Sequence, residues 1–377
     1  MMARMNVGVV GAGIFGLAAA LELRDRGHRV TVLEQEGIPG PRASSNDVSK
    51  VIRRIGYQHE TYVELVERAG RRWRAWQEQM GGSFLFRTGQ VSIVSGSSHY
   101  ISHYRTWSGP DLTEDSSQYL TVQEARVRFP HFHFHDDDKV RYDPWTGYLR
   151  SGQAVADLAG LARARGVEVR SESPVTELED TENGVRLRCG GQTLLFDRVV
   201  AAAGAWIVRL WPALAESLYL TRNQMAFFVP RDPELFSRQN LPVWSVNTGK
   251  EAWYGFPMLV EGYVKVADDL KVDETHPEVE RTNTRRFLEM VSRFIEERMP
   301  GLHGAEMVGG RSCLYTNTPD DHFVIDWAPG ARRILIAGCG SGHGFKFGGS
   351  IGPVIADALE EKHNPLGELF RIGARFD

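Results

Sequence analysis

Residues 6–16 read Asn-Val-Gly-Val-Val-Gly-Ala-Gly-Ile-Phe-Gly, with glycines at positions 11, 13 and 16. The apolar run before these glycines predicts a buried strand, and residues 17–26 after them predict a helix that Gly27 ends. A second apolar run at 30–33 predicts another strand. In such a unit the first glycine permits a tight turn, the second lets the backbone approach a pyrophosphate, and the third lets the helix pack on the strand. The start of the chain is therefore predicted to bind a dinucleotide.

An acidic residue after the second predicted strand supports this interpretation. Glu34 lies 23 positions after Gly11, where an acidic side chain accepts hydrogen bonds from the ribose hydroxyls of a dinucleotide. The helix N-terminus would direct unpaired N–H groups at the phosphates. A glycine-rich turn without a ligand is the alternative, and the turn alone does not distinguish NAD from FAD.

Length, charge and cysteine content narrow the class of protein. The chain has 377 residues, more than one hydrophobic core usually serves, so two domains are expected. The net charge of −4 provides no basic field for nucleic acid. Because no apolar run reaches ~18 residues and no signal peptide is recognised, we expect a cytoplasmic protein with no membrane partner. Three cysteines are too few for a disulfide framework and fit a reducing compartment.

The pattern of predicted elements changes several times along the chain. Residues 1–85, 146–215 and 310–377 are assigned to a Rossmann-like nucleotide-binding domain. Residues 86–145 and 216–309 are rich in short strand candidates and are assigned to a sheet-rich substrate domain. The expected fold class is α/β (mixed α+β), with two interleaved domains because the chain crosses between them several times.

Segments beyond the glycine turn resemble one known family. They include Ala43-Ser-Ser-Asn-Asp-Val-Ser-Lys-Val-Ile-Arg53, Ala203-Gly-Ala-Trp206 and Trp253-Tyr-Gly-Phe-Pro257. The most specific pair is Cys313-Leu-Tyr-Thr-Asn-Thr-Pro-Asp320 with Ser341-Gly-His-Gly-Phe-Lys346. In this order they resemble the monomeric sarcosine oxidase family of FAD-dependent amine oxidases, within the D-amino acid oxidase-like superfamily. That family includes N-methyltryptophan, pipecolate and fructosyl amino acid oxidases.

The resemblance implies that the cofactor is FAD and that the Rossmann-like domain is an FAD-binding domain. Together with the glycine turn, it assigns to FAD the residues Gly11, Gly13, Ile14, Phe15, Gly16, Glu34, Gln35, Ser44, Ser45, Lys50, Val175, Ala203, Gly204, Trp206, Cys313, Gly340, Gly342, His343, Gly344, Phe345 and Lys346.

Two of the matched residues carry specific chemistry in the family. Cys313 matches the cysteine that carries the flavin through a thioether to its 8α-methyl group, so a covalent flavin is expected. Most free cysteines are instead buried structural residues, which is the alternative for Cys313. Lys265 matches the lysine that family members place over the flavin, where a cation stabilises the superoxide formed from oxygen.

Three further residues are assigned to the substrate by the same resemblance. Arg53 and Lys346 match two cations that bind the substrate carboxylate, Arg as a bidentate partner and Lys as a point charge. Tyr254 matches an aromatic residue that lines the substrate pocket and is counted among the catalytic residues. Ordinary packing is the alternative for Tyr254.

The sequence departs from sarcosine oxidase at three positions. Asn46 and Asp269 occupy the positions of active-site histidines, and Lys50 replaces an arginine near the flavin. Asp47-Val-Ser-Lys50 and Lys265-Val-Ala-Asp-Asp269 are instead similar to fructosyl amino acid oxidases, the amadoriases. Asn46 is therefore assigned to substrate binding, and Lys50 and Asp269 to catalysis. An acidic residue at 269 suits a protonated amine or sugar hydroxyls better than a histidine does at neutral pH.

The expected reaction is oxidation of a secondary or cyclic amino acid, similar to a fructosyl amino acid, sarcosine or pipecolate. Hydride transfer to the flavin gives an imine, and reoxidation by molecular oxygen gives hydrogen peroxide. The flavin supplies the redox chemistry and the protein positions the reactants. The alternatives are a flavin-dependent amine dehydrogenase with another electron acceptor, an NAD-binding dehydrogenase and a non-catalytic nucleotide-binding module. A monomer is expected.

One motif lies outside these assignments. His131-Phe-His-Phe-His135 precedes Asp136-Asp-Asp138, and alternating histidines on one face of a strand could bind zinc. An exposed polar strand end is the favoured interpretation, so no metal is predicted.

Overall fold

The computed structural model describes residues 4–57, 59–95 and 117–376. The α-helices of these residues are α1 Ile14–Asp25, α2 Glu60–Met80, α3 Val122–Arg128, α4 Ser151–Ala164, α5 Ile207–Leu210, α6 Arg285–Arg298 and α7 Gly348–Leu359. The strands are β1 Asn6–Val10, β2 Arg29–Leu33, β3 Lys50–Ile52, β4 Leu85–Arg87, β5 Gln90–Val94, β6 Gln118–Leu120, β7 Lys139–Asp143, β8 Gly147–Leu149, β9 Glu168–Arg170, β10 Val175–Thr181, β11 Gly184–Cys189, β12 Gln192–Phe196, β13 Arg198–Ala201, β14 Tyr219–Val229, β15 Val243–Asn247, β16 Ala252–Gly255, β17 Val264–Asp268, β18 Glu306–Asn317, β19 Val324–Trp327 and β20 Ile334–Gly338.

The first strands and the last strand meet in a six-stranded sheet of order β19-β20-β13-β1-β2-β9. Its strands are parallel except β19, which pairs antiparallel with β20. Strands β1 and β2 are buried almost along their whole length, because helices cover a parallel sheet on both faces. The predicted α/β class is confirmed by this arrangement, with strands from three parts of the chain in one sheet.

Two helices from opposite ends of the chain pack together beside this sheet. Helix α1 contacts α7, and a side chain at Gly352 of α7 would place its Cβ 2.5 Å from the backbone oxygen of Ala18. Only glycine permits this approach, which brings the start and the end of the chain into one hydrophobic core.

A larger, eight-stranded sheet has the order β18-β14-β17-β16-β15-β5-β7-β6. Helix α6 packs on one face, where the ring of Phe294 stacks on Trp253 at 4.8 Å and on Trp244 at 5.8 Å between centroids. Thr284 caps this helix by accepting a hydrogen bond from the backbone N–H of Phe287. The other face carries Lys265 and Cys313 towards the six-stranded sheet. Burial of each large aromatic side chain contributes on the order of 2–3 kcal/mol to this second core.

One of the two smaller sheets lies near two predicted domain boundaries. Strands β3, β8 and β4 form one sheet and β10, β11 and β12 the other. Strand β4 spans the predicted boundary at residue 85, and β18 spans the one at 310 while pairing with β14 along its length. The division into two domains with these ranges stays a prediction.

The histidine run differs from its prediction. Residues 131–135 form no strand; Phe132, Phe134 and His131 are buried, while His133 and His135 are exposed. The two phenylalanines pack in the second core. Their burial, and not the alternation of the histidines, determines the conformation of this segment. His135, Asp137 and Asp138 offer ligand atoms within 4.8 Å of one another, but Asp138 already pairs with Arg298 at 2.7 Å.

Among the described helices, none is both long enough and apolar enough to cross a membrane.

Candidate active site

A cavity of about 420 Å³ opens at the carboxyl ends of β1, β2, β13 and β20. Ligands of open α/β sheets bind at this edge. The cavity continues to the residues of β18 that precede Asn317. It therefore connects the six-stranded sheet to one face of the eight-stranded sheet.

The glycine turn forms one wall of the cavity. Gly11 has a φ of +99°, and a Cβ there would lie 2.5 Å from the backbone oxygen of Ala202. A Cβ at Gly16 would lie 1.9 Å from the oxygen of Gly11, so this glycine is needed for the contact between helix and strand. Gly13 begins α1 without a side-chain cap. The turn thus leaves amide N–H groups and open space for an anion, which fits the pyrophosphate of a dinucleotide.

Glu34 has a structural role that the sequence did not reveal. Its carboxylate accepts hydrogen bonds from the backbone N–H of Ala12 at 2.8 Å and of Glu36 at 3.2 Å. Burial raises the pKa of Glu34 although these N–H groups oppose the shift. The side chain also lines the cavity. One carboxylate therefore holds the turn in place and faces the predicted ribose position.

Most residues that the sequence assigns to the cofactor line this one cavity. They are Gly11, Gly13, Ile14, Phe15, Glu34, Gln35, Ser44, Ser45, Lys50, Val175, Ala203, Gly204, Trp206, Gly340, Gly342, Gly344 and Phe345. Four assigned residues are not part of the lining: Gly16, Cys313, His343 and Lys346. Leu314 and Tyr315 do line it, so Cys313 lies next to the cavity wall. The chain thus has a cradle that fits FAD, although these residues come from distant parts of the sequence.

Cys313 is buried on β18, on the side of the large sheet that faces the cavity. It forms a small cluster with Met225, Ala267 and Tyr315. The ammonium nitrogen of Lys50 lies 4.0 Å from its sulfur. The sulfur therefore has a positive charge beside it.

Lys265 is fully buried in β17 and is held by an ion pair. Its ammonium group donates to Asp47 Oδ2 at 2.6 Å and to the backbone oxygen of Ser49 at 3.0 Å. Burial lowers the pKa of Lys265, and the neighbouring carboxylate opposes that shift. The same oxygen of Asp47 lies 3.2 Å from Lys50. Although burial opposes it, the two ammonium charges lower the pKa of Asp47 to about 2. Asp47 and Ser49 were not predicted site residues, because only the fold brings them to Lys265.

The predicted carboxylate-binding cations lie near each other. The guanidinium of Arg53 lies over the Tyr57 ring at 5.0 Å, and the ammonium of Lys346 lies 5.9 Å from the same ring. Lys346 donates to the backbone oxygen of His343 at 2.6 Å. Burial and the charge of Arg53 lower the pKa of Lys346 well below its usual value. The negative charge of an incoming carboxylate would relieve this repulsion.

Asp269 follows β17 and adds a negative charge to this region. The residue is exposed to solvent, while protein atoms around its carboxyl group raise its pKa by desolvation and the charges of Arg53, Lys271 and Lys346 lower it. The site therefore presents both signs of charge, as a zwitterionic amino acid requires.

Three predicted site residues remain, which are Tyr254, His343 and Asn46. Tyr254 packs beside Cys313, and burial and the charge of Cys313 raise its pKa well above the usual value. The Nε2 atom of His343 lies 2.9 Å from the backbone oxygen of Asp321, and burial lowers its pKa. Asn46 donates to the backbone oxygen of Gly40 at 3.0 Å and is not part of the cavity lining. Its side chain therefore shapes the loop before β3.

The comparison with protein families gives a match over almost the whole chain. The sequence profile of the family described as FAD dependent oxidoreductase (DAO) matches residues 6–358. Monomeric sarcosine oxidase of Streptomyces avermitilis is 31% identical over 361 residues, which cover 93% of this chain and 92% of that protein. N-methyl-L-tryptophan oxidase of Yersinia pestis is 27% identical, with 95% of each chain covered.

Solved structures show the same fold. Fructosamine oxidase (Amadoriase II) of Aspergillus fumigatus superposes with a TM-score of 0.84 at 24% identity, covering 98% of this chain and 90% of that chain. NikD, an amino acid oxidase of nikkomycin biosynthesis, gives a TM-score of 0.81 at 22% identity, covering 97% of this chain and 96% of that chain. The family profile indicates FAD as the cofactor, and the cavity offers a cradle for a dinucleotide such as FAD. The chain belongs to the DAO family of FAD-dependent oxidoreductases.

Proposed function

We propose that this protein is an amine oxidase that oxidises a secondary or cyclic amino acid with FAD and molecular oxygen. The observation that carries the proposal is a group of interacting charged side chains, Arg53, Lys346 and Asp269, of which Lys346 directly follows Phe345 of the cavity lining. Sarcosine and N-methyl-L-tryptophan, the compounds in the names of the similar proteins, each combine a carboxylate with a secondary amine. The site offers complementary charges for both groups.

The substrate would be bound through its two charged groups. Its carboxylate would lie between Arg53 and Lys346, which relieves their mutual repulsion and raises the pKa of Lys346 again. Asp269 would accept from the amine or from hydroxyls of a polar substituent. Tyr254 would form an apolar wall that excludes water from the reacting carbon. Two fixed anchors hold the substrate in one orientation, which removes the entropy cost of alignment from the chemical step.

The cofactor would be held by the cavity and fastened at Cys313. When bound, FAD accepts a hydride equivalent from the carbon next to the amine nitrogen and passes the electrons to oxygen, which gives hydrogen peroxide. Lys265 would supply the positive charge near the site of oxygen reduction. Lys50, with its ammonium group 4.0 Å from the sulfur of Cys313, would place a positive charge beside the atom that forms the thioether. A monomeric, cytoplasmic protein is part of the proposal.

The substrate class stays broader than one compound. Asp269, and Asp47 with Lys50, are the residues that resemble amadoriases, so fructosyl amino acids are tested beside sarcosine, N-methyltryptophan and pipecolate. A flavin-dependent dehydrogenase with another acceptor is the second candidate. The buried Lys265 favours the oxidase, because a fixed cation beside the flavin promotes electron transfer to oxygen. The NAD-binding alternative has lost its basis, because the family is FAD-dependent.

The experiment begins with an absorbance spectrum of the purified protein before and after acid precipitation. Yellow colour that stays in the precipitate supports the covalent flavin, and colour released to the supernatant removes that part of the proposal. The four amines are then screened for hydrogen peroxide, with an artificial electron acceptor in parallel. Reduction of the acceptor without peroxide identifies a dehydrogenase. If no amine bleaches the flavin, the amine oxidase proposal is wrong.

A further inference from the structure

A single carboxylate lies between two lysines beneath the active site. Asp47 Oδ2 is 2.6 Å from the ammonium nitrogen of Lys265 and 3.2 Å from that of Lys50. The side chains of Asp47 and Lys265 are fully buried, and that of Lys50 is 15% exposed. The second oxygen of Asp47 accepts from the backbone N–H of Val48 at 2.7 Å. Both oxygens of the carboxylate are thus fixed by close partners.

The charges of this cluster depend on Asp47. Two ammonium groups and one carboxylate leave one net positive charge, whereas loss of the carboxylate would leave two cations close together in a buried place. The other contact of the Lys265 ammonium, the backbone oxygen of Ser49, is neutral. A buried cation that loses its counter-charge gives up its proton more readily. The pKa of Lys265, which burial already lowers, would fall further.

We propose that Asp47 is a positioning residue that keeps Lys265 and Lys50 both protonated and fixes their ammonium groups next to each other, with Lys50 at the wall of the FAD cavity. The part of this inference that concerns oxygen reduction rests on the function proposed above. A neutral amine at Lys265 cannot stabilise negative charge that develops on oxygen, so Asp47 would act on the reaction through the lysine. Although burial opposes them, the two ammonium charges lower the pKa of Asp47 to about 2, so the carboxylate keeps its negative charge at neutral pH.

Other groups also face the cluster and influence its titration. They are Cys313 and Arg311 on β18, Tyr254 on β16 and Tyr263 just before β17. Arg311 is a further cation, and Lys346 is another, because the charge of Lys50 adds to burial in lowering its pKa. The two tyrosines stay neutral because burial raises their pKa. Asp47 is consequently the anion at hydrogen-bond distance from both lysines in the part of the chain that the structure describes.

The test measures protonation directly in the flavin-containing protein. The chain has seven lysines, so the side-chain nitrogens of a ¹⁵N-lysine sample can be followed by NMR across a pH series. The signals of Lys265 and Lys50 are assigned from the variants Lys265→Met and Lys50→Met. In Asp47→Asn, the pH at the midpoint of titration is expected to fall by about 1–3 pH units for at least one of these lysines. A shift of this size is the usual effect of a close opposite charge.

A buried aspartate elsewhere provides the matched control. Asp143 has a fully buried side chain and pairs with Arg54 and Thr146, away from the lysines. Asp143→Asn should leave both midpoints in place. Unchanged midpoints in Asp47→Asn would overturn the proposal. If Asp47→Asn does not fold, the double variant with Lys50→Met restores one net positive charge. The Lys265 midpoint in that double variant should lie about 1–3 pH units below that in Lys50→Met alone, and equal midpoints would refute the role of Asp47.

The kinetic consequence is measured separately from protonation. In both the wild type and Asp47→Asn, the rate of flavin reoxidation by oxygen should decline as the pH rises. In Asp47→Asn this decline should occur at a lower pH, by the same number of pH units as the lysine midpoint. The rate of flavin reduction should change less than the rate of reoxidation. A midpoint shift in a protein that oxidises no amine would support the role of Asp47 and refute the proposed function. Unshifted midpoints in an active oxidase would do the reverse.

Discussion

Alanine at Gly11 should destabilise the protein far more than alanine at Gly27, although both glycines have positive φ. Gly11 has a φ of +99° and Gly27 a φ of +94°, so both substitutions place an L-residue in a left-handed conformation, which costs about 1–2 kcal/mol. At Gly27 a new Cβ meets no atom within 4 Å, whereas at Gly11 it lies 2.5 Å from the backbone oxygen of Ala202. The overlap adds about 1–3 kcal/mol, the usual cost of forcing an atom into a packed interior.

The expected loss of unfolding free energy is thus about 1–2 kcal/mol for Gly27→Ala and about 2–5 kcal/mol for Gly11→Ala. Equilibrium unfolding in urea, followed by far-ultraviolet circular dichroism, measures both values in samples of equal flavin content. The difference between the two variants isolates the contact with Ala202, because the conformational cost is shared. Equal destabilisation would show that the turn can move away from β13 and would refute the argument from close approach.

Three further predictions concern the active site and the core. Lys265→Met should slow flavin reoxidation by oxygen at least tenfold while flavin reduction changes little, as stopped-flow absorbance will show; equal slowing of both half-reactions would contradict the proposed role of this cation. Cys313→Ser should bind flavin that acid precipitation releases, whereas the same change at buried Cys339 should leave the flavin in the precipitate. Glu360 binds Arg26, His28 and Lys362, and these partners lower its pKa from 4.5 to about 2 although burial opposes the shift. The contribution of Glu360 to stability is therefore present above pH 4.5 and is lost as the pH falls towards 2. Glu360→Gln should destabilise the protein at pH 7, and the difference in unfolding free energy from the wild type should vanish in acid. Urea unfolding at each pH measures this difference.

The predictions from sequence were most accurate where local signals are strong. The strand, turn, helix and strand of residues 6–33 have the predicted order, with α1 beginning three residues before the predicted start at 17. The strand from Gln90 to Val94 lies in the range 86–145 that was predicted to be rich in short strands. Each has a regular apolar period or flanking residues that end it, which are properties of the sequence alone.

The predictions were weaker where long-range pairing decides the structure. Strand β18 contains Gly309 and Gly310, which disfavour strands, yet it pairs with β14 over most of its length. The ion pair between Asp47 and Lys265 joins residues 218 positions apart. Resemblance assigned a role to Lys265, but its carboxylate partner could be recognised only after the fold had placed β17 over the loop that precedes β3. Contacts of this kind leave no local pattern.

The cavity is lined by residues from both ends of the described sequence, which has a consequence for folding during synthesis on the ribosome. Its wall begins at Val10 and is completed by Phe345, so the site for FAD cannot close until nearly the whole chain has emerged. Synthesis proceeds at roughly 5–20 residues per second, so about 20–70 seconds pass between synthesis of the glycine turn and synthesis of the last residues of the cavity wall. FAD should therefore fail to protect nascent chains that stop before residue 338 from proteolysis. Flavin supply would limit the yield of finished protein at a late step, after the polypeptide has been released.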